Sequence, residues 1–188
     1  MKKFFVVIAA LLCCAACLSA AGPYMSMSVG NAIPLAGFVV SNGEKADVPV
    51  DEYFDVGLRT ELSAGWNVTD WFSAGFTTGV TYNPSDIEAY DLMAAVPLTL
   101  DLTLSPSIGV MSFPVTLSAG GHAQFIDNSV SFGPYFAVSV TMLLDVTQQL
   151  SIGVEAKADL LMQFADDFDT ISYQVGLSPM QLKLIYSF

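Results

Sequence analysis

The sequence predicts an all-β fold: a closed, antiparallel, up-and-down transmembrane β-barrel of about eight strands, preceded by a signal-peptide helix. Three observations predict it, namely an apolar N-terminal stretch, eight segments in which apolar and polar residues alternate, and a last segment ending on Phe188. Charged residues make up only 13% of the 188 residues, against roughly 25% in an ordinary soluble domain. A barrel accounts for this, because its apolar residues are spread along alternating strands.

An export signal is predicted for residues 1–21. Lys2 and Lys3 precede an apolar stretch from Phe4 to Ala16, and small residues at 19–21 provide a cleavage site. The stretch is shorter than the roughly 20 residues of a membrane-spanning helix, which disfavours the alternative of a retained anchor helix. Cleavage after Ala21 leaves residues 22–188 as one domain, the predicted barrel.

All three cysteines, Cys13, Cys14 and Cys17, lie within the predicted export signal. The exported chain then has no disulfide to stabilise it, so its fold depends on other interactions. Cys17 follows two small residues and is an alternative site of lipid attachment. Against this alternative, the residue three positions before it is Cys14, where the lipidation pattern favours a leucine-like residue.

An alternation with a period of two runs through the chain after Gly22, and it predicts β-strands. In the fourth segment Leu98, Leu100 and Leu102 lie on one face, opposite Thr99 and Asp101. The eight predicted segments cover residues 23–33, 52–68, 71–83, 91–105, 113–126, 133–147, 149–164 and 170–188. The uncharged face of the second segment comprises Phe54, Val56, Leu58, Thr60, Leu62, Ala64, Trp66 and Val68.

Alternation alone leaves open which face is inside. A soluble lipocalin-like barrel, which remains a remote alternative, would turn its apolar face inward. Two features favour the opposite arrangement. The uncharged faces persist for about ten residues, the length that a tilted strand needs to cross a bilayer. Aromatic residues also lie near segment ends, where interfacial girdles are expected. They are Trp66, Trp71, Phe72, Tyr82 and Phe164.

The connections between segments predict the orientation. Two of the even-numbered connections are tight, whereas the odd-numbered ones are longer on average and acidic, beginning with an excursion from about Pro34 to Asp51. Outer-membrane barrels have short periplasmic turns and longer outer loops, so an even strand count places both termini in the periplasm. The fourth connection, Pro106 to Ser112, is longer than this rule expects.

The C-terminal segment alternates back from Phe188 through Tyr186, Leu184 and Leu182. This ending resembles the C-terminal insertion signal of bacterial outer-membrane barrel proteins, and the resemblance implies that these four residues are handled by the barrel-assembly machinery. Upstream the alternation changes register, which predicts a bulge or kink near Ser178 and Pro179. The whole exported chain is similar to the OmpA/OmpX/OmpW-like class of small eight-stranded barrels.

The predicted lumen contains charges of both signs. An eight-stranded barrel is just wide enough for its own side chains to fill it, so we interpret these charges as an interior salt-bridge network rather than a gated polar pore. The network comprises Arg59, Glu61, Asp101, Asp145, Glu155, Lys157, Asp159 and Lys183.

These features predict a structural or surface-interaction barrel with a mostly filled lumen, located in the outer membrane of a Gram-negative-type bacterium. The OmpW-like resemblance allows an alternative, a narrow channel for small apolar solutes, which Met93, Leu143 and Leu161 on the polar face mildly support. Catalysis is not expected. The single histidine, His122, faces the predicted lumen and has no serine two positions after it, whereas lipid A deacylases place their site on the outside of the barrel.

The expected partners follow from charge and location. They are outer-membrane lipid, the assembly machinery during insertion, and a host or environmental surface ligand at the outer loops. The formal charge of −12 disfavours nucleic acid, whose phosphates need lysine and arginine. No cofactor or metal is predicted, because acidic clusters such as Asp166, Asp167 and Asp169 match no calcium-loop spacing.

Overall fold

The computed structural model describes residues 22–41, 44–85, 92–126, 129–164 and 170–188. The predicted export signal at 1–21 and the acidic residues 166–169 lie outside these ranges. Within them the chain forms eleven strands and one short helix. The elements are β1 (Pro23–Ser41), β2 (Glu44–Val48), α1 (Val50–Tyr53), β3 (Gly57–Thr69), β4 (Phe72–Pro84), β5 (Leu92–Leu104), β6 (Ser107–Ile108), β7 (Met111–Ser112), β8 (Val115–Ile126), β9 (Ser129–Asp145), β10 (Leu150–Phe164) and β11 (Thr170–Ser187).

Eight of the strands close into a barrel, which confirms the predicted fold class. We call β1, β3, β4, β5, β8, β9, β10 and β11 the barrel strands. Each pairs antiparallel with its neighbours in that order, and β1 also pairs with β11, from Tyr24 opposite Ser187 to Ser41 opposite Thr170. Closure leaves none of the barrel strands with an open edge within the membrane.

The barrel strands are tilted, as closure of a twisted sheet requires. Following the paired residues around the barrel from Met25 leads back to β1 at Ala36, well displaced along the strand. The path runs through Ala64, Phe76, Leu100, Ala119, Phe136, Leu160 and Val175. A tilt of this kind lets long strands cross a bilayer with a packed interior.

The polar face of each barrel strand points inward and the apolar face points outward. Leu98 is 64% exposed in the middle of β5, whereas Arg59 on β3 is 3% exposed. In a soluble barrel these exposures would be reversed, because apolar surface is driven out of water. The structure therefore favours the transmembrane arrangement over the lipocalin-like alternative, since an uncharged outer surface is stable only against lipid.

Two aromatic girdles border the apolar outer surface. At the end that holds both termini, the exposed aromatic residues are Trp66, Trp71, Tyr186 and Phe188; at the opposite end they are Tyr82, Phe125, Phe132 and Phe164. Amphipathic and aromatic rings favour the interface between headgroups and hydrocarbon, so the girdles mark the two boundaries of the bilayer.

The end with both termini also carries the tight connections, Asp70–Trp71 and 146–149. Because outer-membrane barrels keep termini and short turns on the periplasmic side, we call this the periplasmic end and the other the outer end. The fourth connection, whose length was unexpected, folds into a small hairpin. Its strand β7 pairs with β9, Met111 opposite Leu144, so the extra residues lengthen the barrel wall.

The outer end corrects two predictions. The first strand continues past residue 33 to Ser41 and forms a hairpin with β2, where a loop from Pro34 had been expected. The second barrel strand begins at Gly57 rather than at 52, because the preceding residues form α1. Phe54, predicted to face lipid, is instead buried at the outer end of the lumen. Among the described residues no helix is long and apolar enough to cross a membrane.

The predicted irregularity in the last strand is present. Between Gln181 and Ser178, β11 contains one residue more than its partner β10 does between Glu155 and Lys157. The extra residue reverses the alternation, so Ser178 and Gln181 both point inward although they are three positions apart. Pro179 lies within the bulge, where its missing N–H costs no regular ladder bond.

Candidate functional site

The barrel lumen contains three ion pairs that span distant parts of the chain. Arg59 pairs with Asp159, Lys157 with Glu61 at 2.7 Å, and Lys183 with Glu155 at 2.7 Å. Their charged groups are almost fully buried, so each charge requires an opposite charge close by. The pairs lie across the lumen between β3 and β10 or between the neighbouring strands β10 and β11. They bring together six of the eight residues of the predicted network.

The pair of Arg59 and Asp159 is the centre of a constriction. The Tyr135 hydroxyl donates to Asp159 Oδ2 at 2.9 Å, and Arg59 Nε donates to Thr81 Oγ1 at 3.0 Å. A neighbouring cluster of Ala95, Tyr135, Ala137 and Leu161 fills the space beside it. We call Arg59, Asp159 and Tyr135 the central constriction.

A glycine makes room for this constriction. A Cβ atom added at Gly176 on β11 would overlap the Asp159 carboxylate, with Oδ1 as the nearest atom. Glycine is thus required by the close approach of the carboxylate to the backbone rather than by an unusual dihedral angle. The sequence alone could not reveal this, because the contact joins two different strands.

The other two predicted network residues, Asp101 and Asp145, have no ion-pair partner among the described residues. Asp101 lies in the lumen, where its carboxylate accepts hydrogen bonds from the Thr77 and Thr99 hydroxyls, the latter at 2.9 Å. Asp145 does not join the buried network. Because β9 ends at this residue, its side chain is exposed and accepts a hydrogen bond from Ser151 at 2.6 Å.

A layer of glutamines lies on the outer side of the central constriction. Gln124 donates to Gln174 at 2.8 Å and accepts a hydrogen bond from Gln163, while Gln174 donates to the Met93 sulfur at 3.3 Å. We call Gln124, Gln163 and Gln174 the glutamine layer. The sequence does not reveal this layer as a unit, since the alternation along a strand indicates which face a residue is on but not which residues lie opposite it across the lumen.

A polar cavity of about 160 Å³ lies on the periplasmic side of the constriction, and we call it the periplasmic cavity. Its wall contains the Lys157–Glu61 and Lys183–Glu155 pairs, Asp101, and many hydroxyl groups. The hydroxyl-bearing lining residues are Tyr24, Ser26, Ser63, Ser73, Thr77, Thr103, Ser105, Thr116, Ser118, Ser139, Thr141, Ser151 and Ser187, with Ser112 in the fourth connection. Since Ser105, Ser151 and Ser187 lie near strand ends, the cavity reaches the periplasmic end.

A second, largely apolar cavity of about 210 Å³ lies at the outer end, and we call it the outer-mouth cavity. Its floor includes the glutamine layer together with Met93 and Leu161. Val50 and Phe54, from α1 and the residue after it, pack with Met93 over the lumen. Two of the three apolar lumen residues noted in the sequence therefore line this cavity, while Leu143 lines the periplasmic cavity instead.

Asn83 holds the segment around α1 over the outer mouth. Its buried amide donates to the backbone oxygens of Ala32 and Asp55, both at 2.9 Å. The Ser85 hydroxyl donates to the backbone oxygen of Tyr53 at 2.6 Å. These bonds link the end of β4 to β1 and to the C-terminal end of α1, so the apolar side chains of this segment stay directed into the lumen.

His122 lies buried on β8 and faces the lumen, with its ring 6.3 Å from the ring of Tyr135. Its position inside the barrel is as expected from the sequence. Among the described residues, no group of three or more histidine, cysteine, aspartate or glutamate side chains is arranged to hold a metal ion.

The four residues of the predicted assembly signal share the outward face of β11. Leu182, Leu184, Tyr186 and Phe188 are all exposed, and the Tyr186 and Phe188 rings meet edge to face at 5.0 Å. Backbone bonds hold the end of the strand, since the Phe188 N–H donates to Pro23 at 3.0 Å.

Comparison with known proteins shows the fold. A protein-family model matches residues 19–182, and no curated protein sequence matches significantly. Among solved structures, the chain is similar to neisserial surface protein A, with a TM-score of 0.57 and 11% identity over 89% of this chain and 97% of that one. It is equally similar to the outer membrane protein OprG from Pseudomonas aeruginosa, with a TM-score of 0.57 and 11% identity over 89% and 96%.

Substitution Gly176→Ala tests the role of Gly176 beside the constriction. Because the new methyl group would displace the Asp159 carboxylate from Arg59 and Tyr135, we expect the free energy of unfolding to fall by about 1–3 kcal/mol. Urea titration in lipid vesicles, followed by tryptophan fluorescence, would measure it. Gly121→Ala is the matched control, since its methyl would meet only the Gly133 oxygen at 3.6 Å. Equal losses in both variants would contradict the assignment.

Proposed function

Because the chain belongs to the small eight-stranded β-barrels of the bacterial outer membrane, we propose that it is a closed barrel with a structural or surface-interaction role. The observation that carries this proposal is the central constriction, which lies between the two cavities of the lumen. The free space around Arg59 and Asp159 is only about 20 Å³, room for about one water molecule, against about 160 Å³ and 210 Å³ in the cavities on either side.

The energetics of the ion pairs also support a closed barrel. Separating Arg59 from Asp159 would leave two uncompensated charges in a narrow lumen, at a cost of about 3–5 kcal/mol. Tyr135 and Thr81 hold the two partners from opposite sides. A pore that opened through this plane would have to break these bonds, whereas a barrel with a structural or surface role benefits from keeping them.

The outer end supports the surface-interaction part of the proposal. The hairpin of β1 and β2 extends past the outer girdle, and its side chains at Glu44, Lys45 and Asp47 are exposed. Asp51 and Glu52 add further exposed acidic groups in α1. A ligand that binds here would meet a negatively charged surface, so a basic or cation-bridged surface is the favoured host or environmental ligand.

A second candidate function is the binding of small apolar solutes in the outer-mouth cavity, as in a narrow channel for such compounds. The specific observation in its favour is the apolar volume of about 210 Å³ above the glutamine layer. Cavities lined by apolar side chains with a few convergent polar groups are typical ligand sites. Passage beyond the cavity would require the central constriction to open.

The exposed row from Leu182 to Phe188 supports a role in assembly. An unfolded chain would present these side chains along one face of its last strand, where a protein partner in the membrane could bind them before the barrel closes. A non-catalytic role is part of the same proposal, since the buried charged side chains of the lumen are used in ion pairs and in hydrogen bonds to neighbouring hydroxyls.

Arg59→Gln tests the closed barrel. We expect this variant to lose about 3–5 kcal/mol of unfolding free energy, because Asp159 remains buried without its partner. The double variant Arg59→Gln, Asp159→Asn should recover most of this loss, because it leaves no unpaired charge. Lys45→Gln, an exposed cation, should change little. Wild type should be silent in planar-bilayer recordings. Steady wild-type conductance, with unchanged stability in Arg59→Gln, would support the pore alternative instead.

Methionine methyl NMR tests the second candidate. If the outer-mouth cavity binds toluene, adding toluene to the protein in deuterated detergent should shift the Met93 methyl signal until the site is saturated. The Val39→Trp substitution, which fills the cavity, should abolish this shift. The exposed Met180 methyl is the internal control for unspecific partition into detergent, and Val130→Trp is the control for adding an indole at the outer end. Parallel, unsaturable shifts of both methyl signals would exclude a solute site.

Phe188→Ala tests the assembly role. We expect several-fold less folded barrel in the outer membrane, measured as heat-modifiable protein on gels, with unchanged refolding into detergent in vitro. A lower yield in the membrane with unchanged refolding in detergent would show that Phe188 acts during insertion and does not stabilise the finished barrel. Phe132→Ala removes an equally exposed aromatic residue at the outer end and should leave assembly unchanged. A normal yield for Phe188→Ala would refute the role.

A further inference from the structure

The buried charges of the lumen do not balance among the described residues. The buried or nearly buried cations are Arg59, Lys157 and Lys183, and the carboxylates are Glu61, Asp101, Glu155 and Asp159. Each cation is engaged in one of the three ion pairs, and these pairs use every carboxylate except Asp101. One negative charge is therefore left without a cation.

Asp101 is 5% exposed and lies near the periplasmic end of β5, between β4 and β8. Its carboxylate accepts hydrogen bonds from the Thr77 and Thr99 hydroxyls, which are neutral donors. Two neutral donors do not cancel the charge itself. An ionised carboxylate taken out of bulk water remains costly unless a counter-charge lies near it.

The surroundings of Asp101 are suited to a cation. It lines the periplasmic cavity of about 160 Å³, which has space for an ion and several of its waters. Hydroxyl oxygens dominate the lining, and oxygen is the ligand type that hard cations prefer. The Tyr24 hydroxyl lies above Gly75, the residue paired with Asp101 across β4 and β5, and adds another oxygen close to the carboxylate.

A second observation points to a ligand in the same cavity. The Thr141 hydroxyl lines it, the residue is only 1% exposed, and its oxygen has no hydrogen-bond partner among the described residues. A buried polar group without a partner is unfavourable, because it has given up its hydrogen bonds to water and gained none in return. A hydrated ion in the cavity would supply this hydroxyl with a water or a direct contact.

We propose that the periplasmic cavity binds one small monovalent cation, of the size of Na⁺ or K⁺, with Asp101 as the charged ligand and lining hydroxyls as neutral ligands. A single positive charge neutralises the one uncompensated carboxylate. A divalent ion would leave an excess positive charge in a cavity that already contains Lys157 and Lys183. The ion enters from the periplasmic end, so this site is independent of the closed or open state of the central constriction.

Crystals of the full barrel soaked in rubidium chloride give the direct test. We expect an anomalous peak inside the cavity at direct contact distance from an Asp101 carboxylate oxygen, and no peak there in Asp101→Asn. Asp145→Asn removes an exposed carboxylate at the same end and should keep the peak. Absence of the peak in wild type, or equal occupancy in Asp101→Asn, would overturn the proposal and would indicate a protonated Asp101 or an unspecific ion.

Thermal unfolding at constant ionic strength supplies a second measurement that does not depend on crystals. The unfolding midpoint of wild type should rise when choline chloride is replaced by potassium chloride, because the methyl groups of choline prevent close coordination by oxygen. The rise should vanish in Asp101→Asn and shrink in Thr141→Val, which retains the charge. A rise with magnesium but not with potassium would contradict the monovalent assignment.

Discussion

The constraint on which the whole structure depends is the absence of water in the membrane interior. There, each backbone N–H and C=O must find its partner within the protein. Pairing of β1 with β11 meets this requirement, because it joins the two ends of the sheet. Closure in turn forces the tilt of the strands and separates a lipid-facing surface from an enclosed lumen. The inverted distribution of polar and apolar residues is the consequence.

Because the lumen is enclosed, the interactions among its charged side chains have a large effect on the stability of the barrel. Charges that would be solvated on a soluble protein must here be paired across the barrel, as Arg59 is with Asp159 and Lys157 with Glu61. The Arg59–Asp159 pair narrows the lumen at its centre, between a polar cavity on one side and an apolar cavity on the other. The same interactions that stabilise the barrel thus determine which molecules could enter it, and from which side.

Two irregular features of the barrel change which side chains face the lumen and which face the lipid. The bulge in β11 allows Ser178 and Gln181 to face inward together, and it shifts the row that ends on Phe188 to the lipid side. At the outer end, hydrogen bonds from Asn83 hold the segment after α1 over the lumen. Pairing resumes on both sides of the bulge, so both devices alter what the two surfaces present while the barrel stays closed.

By itself, the sequence determined the fold class, the eight segments apart from the bounds of the first two, and the break near Ser178. Alternation along a strand defined the two faces of each segment, and the length of the uncharged face indicated which of them points outward. Of the eight charged residues that the sequence assigned to the lumen, six lie in the three buried ion pairs. Which residue meets which across the lumen was decided only by the tertiary structure, since barrel tilt brings together residues about a hundred positions apart, such as Arg59 and Asp159. The same holds for Gly176, for the glutamine layer, for the exposure of Asp145 at a strand end, and for the inward turn of Phe54. Each depends on how strands align around the closed barrel, and local periodicity carries no information about that alignment.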